Sequence, residues 1–132
     1  MASAIASGLE DEGVPVRIID IQKNHHSDVM TELADCGAVI VGSATHNNNV
    51  LPGIADVLTY MKGLRPQNRV GAAFGSYGWS GESPKIIQEW LASMNMDMPA
   101  DPVKCLFVPK HEGLSQCVAL GKTVAEALKA KC

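Results

Sequence analysis

Two short unbroken apolar runs, Ala38-Val39-Ile40-Val41 and Val70-Gly71-Ala72-Ala73-Phe74, restrict this chain more than anything else in it. A strand that is apolar at every position has no face to offer water and must be covered on both sides. Helical stripes able to supply that cover follow each run. Ile54, Val57, Leu58 and Met61 recur at i, i+3, i+4 and i+7, after Pro52 and before Gly63 as a stop. Ile87, Trp90, Leu91 and Met94 repeat the spacing, with Ser83 as N-cap and Pro84 at the first helical position. Ser27-Asp28 opens a shorter helix through Met30 and Leu33, and Leu114, Val118, Gly121, Val124 and Leu128 mark a terminal one. Ala2, Ile5, Ala6 and Leu9 form a further apolar helix face at the start. Val14–Ile21 and Val103–Val108 read as two more strands, the first at a sheet edge because Pro15 cannot donate to a ladder. Strands and helices in alternation predict a single α/β domain over residues 1–132, a doubly wound parallel sheet in three α/β/α layers.

The rest of the composition excludes more than it suggests. A formal net charge of −3 and the absence of a Lys/Arg stripe argue against nucleic acid. No apolar stretch approaches the roughly 20 residues of a membrane span, and the N-terminus lacks a cationic region followed by a hydrophobic block. The four cysteines, Cys36, Cys105, Cys117 and Cys132, show no metal-ligand spacing. Cys36 and Cys105 read as buried thiols, which fits a reducing cytoplasm. His25-His26 has no acidic or thiol neighbour in sequence and His111 falls in an expected loop, so no metal site is expected. Trp90 reads as a buried anchor.

Chemistry is expected in two loops. The second apolar run ends in Gly75-Ser76-Tyr77-Gly78-Trp79-Ser80-Gly81, which places an indole at the carboxyl end of a strand. Open parallel sheets bind their ligands there. Gly75 and Gly78 let backbone N–H groups come close, and Trp79 offers a stacking face for a planar ring. The alternative is a turn whose tryptophan packs back on its own core. After the first run comes Thr45-His46-Asn47-Asn48-Asn49, five hydrogen-bonding side chains in a row that suit neither a strand nor a helix interior. Alone it reads as a solvated turn. Two such loops after adjacent strands converge on one crevice, and amide and hydroxyl groups there can read the polar rim of a heterocycle.

The runs Val41-Gly42-Ser43-Ala44-Thr45-His46-Asn47-Asn48, Lys62-Gly63-Leu64-Arg65-Pro66-Gln67-Asn68 and Gly71 through Glu82 closely resemble the flavodoxin-like domain of the A-type flavoproteins. These are the flavodiiron proteins, including rubredoxin:oxygen oxidoreductases. The resemblance extends over essentially the whole chain. It implies an FMN-binding domain that relays electrons one at a time, with no catalytic acid or base. The implied cofactor-binding residues are Ser43, Thr45, His46, Asn47 and Asn48 in one loop, and Ser76, Tyr77, Gly78, Trp79, Ser80 and Gly81 in the other. Trp79 would stack on or beside the isoalloxazine, and backbone N–H groups around Ser76–Gly78 would meet its pyrimidine side. The implied partner is a rubredoxin or a diiron domain.

Three departures accompany the likeness. Ala44 stands where the family usually has proline, and Asn49 where glycine is common. The alignment also begins partway into the first helix, so the first strand and the Ser/Thr-rich loop that holds the FMN phosphate at a helix N-terminus are missing, as is the diiron domain. Two or three lost charge-assisted hydrogen bonds remove about 4–8 kcal/mol of binding, so FMN is expected to bind weakly. The missing strand leaves a gap of roughly 9.6 Å in the sheet. The expectation is a rearranged or strand-exchanged dimer for these residues, with Met1 an internal methionine of a longer domain.

Rival classes fare worse. Val41-Gly42-Ser43 lacks the aspartate of a receiver-type signalling domain, and the glycines around Ser76 do not form a nucleophile elbow. A flavin-dependent quinone reductase or nitroreductase remains, separable by a hydride-transfer assay. The strongest alternative is a cofactor-free, truncated flavodoxin-like interaction module.

Overall fold

In the computed structural model the described residues are 1–45, 49–64, 69–78, 81–106 and 110–131. They form α1 (Ala2–Asp11), α2 (His26–Leu33), β1 (Ala38–Ala44), α3 (Pro52–Leu64), β2 (Val70–Tyr77), α4 (Ser83–Ser93), β3 (Val103–Leu106) and α5 (His111–Lys131). The strands pair in parallel in the order β1-β2-β3, with Ser43 opposite Gly75 and Ser76 opposite Cys105.

Alternation along the strands divides the core in two. Val41 and Ala73 face a cluster with Leu33, Ile54, Leu58, Met61, Ile87 and Leu91, whereas Val70 and Ala72 face Ile5, Leu9, Cys117, Leu120 and Val124. Helices α2, α3 and α4 thus cover one face and α1 and α5 the other, the three layers expected of a parallel sheet. Helices α1 and α5 cross with almost nothing between their backbones. A Cβ on Gly8 would strike the Val118 carbonyl, and one on Gly121 would strike that of Ile5.

One expected strand is not there. Val14 to Asp20 runs without ladder pairing, followed by a turn at Ile21. A ladder needs a neighbour about 4.8 Å away, and no described strand lies alongside. Side-chain burial holds the segment instead: Val14 and Val16 pack on the α1–α5 cluster and Ile21 on the other. Arg17 adds a surface ion pair to Glu32 at 3.2 Å. The outer side of β1 is therefore open among the described residues. Val70 N–H donates to the Gly37 carbonyl and Thr45 N–H to that of Ser76, each at 2.9 Å. By alternation, Ala38, Ile40, Gly42 and Ala44 direct their backbone groups away from β2.

Several element ends differ from expectation. His25, not Ser27, caps α2: its Nδ1 accepts from Ser27 N–H at 3.2 Å, and its own N–H donates to Asp28 at 3.0 Å. Helix α3 continues through Gly63 to Leu64, since one glycine costs only about 1 kcal/mol. His111 opens α5 rather than lying in a loop. Strand β3 is described over Val103–Leu106, as expected, and the rest of that expected strand, Phe107 and Val108, lies outside the described residues. Asn95, with φ 61°, turns the chain out of α4 in the left-handed region that asparagine tolerates. Trp90 is only half-buried, with Lys62 Nζ 5.5 Å from its ring centre. Cys105 and Cys117 are buried and Cys36 half-buried. Burial pushes the Cys117 thiol above its usual range, and Cys105 adds to this; burial likewise raises Cys36, with Glu32 contributing. Among the described residues, no helix is long and apolar enough to cross a membrane.

Candidate functional site

β1 and β2 end side by side, and the two expected loops leave from their adjacent carboxyl ends. Ser43 and Thr45 therefore lie opposite Gly75 and beside Ser76, as parallel pairing requires. Gly78 is exposed just beyond β2. The structure brings together Ser43, Thr45, Ser76, Tyr77, Gly78 and Gly81 on one rim. His46, Asn47, Asn48, Trp79 and Ser80 lie outside the described residues.

The hydroxyls on this rim are largely committed to the protein itself. Ser43, 8% exposed, donates to the Ala44 carbonyl at 2.8 Å and accepts from Leu51 N–H at 3.0 Å, closing the base of the first loop. Thr45 Oγ1 donates to Ser83 Oγ at 3.0 Å and accepts from Ser83 N–H at 3.2 Å. Ser83 Oγ in turn donates to the Ser43 carbonyl at 3.0 Å. The N-cap of α4 is Glu82, so Ser83 sits inside the helix with its side chain in the sheet edge. Its expected capping role is corrected accordingly, and its place among the site residues was missed. The signal lay in the text all the same: a serine next to Pro84 at a helix start need not cap it.

The second loop has its own internal packing. Added as a Cβ, the first side-chain atom at Gly81 would lie 3.2 Å from both the Tyr77 ring and Lys104. Lys104 Nζ is 5.8 Å from the centre of that ring. Tyr77 thus turns toward β3, and Lys104 brings a positive charge to the same rim. Glu82 Oε2, buried at the foot of the loop, has no hydrogen-bond partner among the described residues. It is an acceptor of the kind a ring N–H satisfies. A spare acceptor and exposed backbone at Gly78 suit a polar heterocycle. Among the described residues no group of three His, Cys, Asp or Glu side chains is placed to hold a metal ion.

Comparison with known proteins agrees with this architecture. The flavodoxin family profile matches residues 1–121. A rubredoxin-oxygen oxidoreductase from Megalodesulfovibrio gigas is 53% identical over 131 residues, which cover 99% of this chain and 33% of that protein. The solved rubredoxin oxygen:oxidoreductase from Desulfovibrio gigas superposes with a TM-score of 0.96 at 53% identity, over 98% of this chain and 32% of the other. A solved flavodoxin from the domain Archaea gives a TM-score of 0.85 at 34% identity, over 97% of this chain and 87% of the other. The chain thus spans about a third of the oxidoreductases it matches and most of a free-standing flavodoxin.

Proposed function

The chain belongs to the flavodoxin family, and from that premise we propose that it is the FMN-binding electron-relay domain of a flavodiiron-type protein. The observation that carries the proposal is the pair of loops tied together at the carboxyl ends of β1 and β2. Bound FMN supplies one-electron chemistry there. The protein's part is to hold and polarise the ring. Backbone N–H groups around Ser76–Gly78 face its pyrimidine edge, where they favour added negative charge. Trp79 gives the stacking face; His46, Asn47, Asn48 and Ser80 flank the ring. Glu82 and Lys104 set the local charge. No side chain needs to move a proton. The electron partner is a rubredoxin or a diiron domain, and the buried thiols suit a reducing cytoplasm.

Titration of FMN and of riboflavin into the protein, followed by quenching of flavin fluorescence, tests this reading. These loops serve the ring and not the phosphate, so both ligands are expected to bind, with FMN favoured by less than about tenfold. Absence of quenching by either at millimolar concentration would leave the cofactor-free interaction module as the better reading.

The outer edge of β1 supports a second expectation, self-association. Backbone groups directed outward from Ala38, Ile40 and Gly42 form a template for another strand. Light scattering should show a species of twice the 14.0 kDa chain mass as concentration rises, in keeping with a strand-exchanged dimer. A constant 14.0 kDa species would remove that expectation.

A further inference from the structure

The hydroxyl chain Thr45–Ser83–Ser43 joins two stretches far apart in sequence: the end of β1 with the residue just beyond it, and the first turn of α4. Ser83 is 0% exposed, yet its hydroxyl and its backbone N–H both point to the first loop. Gly75 lies directly between, because a Cβ there would strike the Ser43 carbonyl and lie 2.9 Å from Ser83 Oγ and 3.0 Å from the Pro84 ring. The chain of bonds exists only because β2 carries no side chain at that point.

We propose that Ser83 is a positioning residue that fixes the separation of the two ring-binding loops, and that the Thr45 hydroxyl serves as its strut rather than as a flavin ligand. The proposal rests on the FMN reading for its consequence, though not for its geometry. A hydroxyl has one proton to give. That of Thr45 goes to Ser83, and that of Ser83 goes to the Ser43 carbonyl. Neither has a proton left for a ring nitrogen or oxygen. Ser43 is committed too, through Ala44 and Leu51. The hydroxyls of Ser43 and Thr45 therefore act as scaffold, and neither is a donor to the ring.

Two substitutions separate strut from ligand: Ser83→Ala, which deletes the shared hydroxyl, and Thr45→Val, which removes the other while keeping its shape. In the flavin-free protein, amide hydrogen exchange at Thr45 and Leu51 should speed up about tenfold in either variant, with α5 amides unchanged. Unchanged exchange at Thr45 and Leu51 in both variants would overturn the proposal, and so would equal acceleration in α5, which signals general loosening. In the flavin titration each single variant should weaken FMN about tenfold, and the double variant about tenfold as well, because both changes break one unit. A hundredfold loss in the double variant would mean that Thr45 touches the ring independently, and the proposal would fall. If the unaltered protein takes up no flavin, the FMN reading falls on its own and the exchange measurement still decides the strut. If Ser83→Ala does not fold, Thr45→Val carries the same exchange test.

Discussion

Gly121→Leu is expected to lower the thermal midpoint by roughly 10 °C, the result of losing about 3 kcal/mol in a domain of this size. Two effects oppose each other at this position. Leucine is the better helix former by somewhat under about 1 kcal/mol, which favours the variant. Against that, the first carbon of the side chain would meet the Ile5 carbonyl, with Leu9 N at 3.1 Å and Gly8 Cα at 3.2 Å. These are backbone atoms of a hydrogen-bonded helix, so they cannot rotate out of the way as a side-chain tip can. Helix α1 must move bodily from α5, uncovering Ile5 and Leu9 against Val124 and Leu120. Collision wins. A midpoint within 2 °C of the parent, read by circular dichroism, would show that the helices cross less closely than described.

Gly75→Ala should act on the rim rather than on the far helices. The added methyl would press the Ser43 carbonyl and the Ser83 hydroxyl apart, at the carboxyl end of the β1–β2 ladder where both strands are still paired. The expected stability loss is about 2 kcal/mol, near the middle of the range for overpacked sites. The flavin consequence is larger, because the same displacement splits the two loops. Affinity for FMN is expected to fall about 100-fold, equivalent to about 2.7 kcal/mol. Fluorescence titration alongside thermal melting distinguishes the two losses. A variant that melts early but binds FMN as the parent does would sever Gly75 from the site.

The sheet and its cover were legible in the sequence for a simple reason. Unbroken apolar runs at Ala38–Val41 and Val70–Phe74 can only be strands covered on two sides, and the stripes at Ile54–Met61 and Ile87–Met94 are of helical period. Val14–Ile21 misled because β-branched residues report a pleated, half-buried environment, not a partner. A strand is a property of two segments, and the second one is not among the described residues. The loops were legible as polar and glycine-rich. What their hydroxyls do was not, since the register that sets Ser43 opposite Gly75 and brings up Ser83 joins residues up to 40 positions apart. The histidine cap of α2 was missed because serine and aspartate are so much commoner there.

The partnership of α1 with α5 bears on how the molecule comes into being. Neighbours in sequence roof one side of the sheet: α3 follows β1 and α4 follows β2. Across the sheet, Val70 and Ala72 meet Ile5 and Leu9 of α1 at once but must wait for Cys117, Leu120 and Val124 of α5, made long after β2. Until α5 docks, that side of the sheet has only α1 to shield it, a roof half laid.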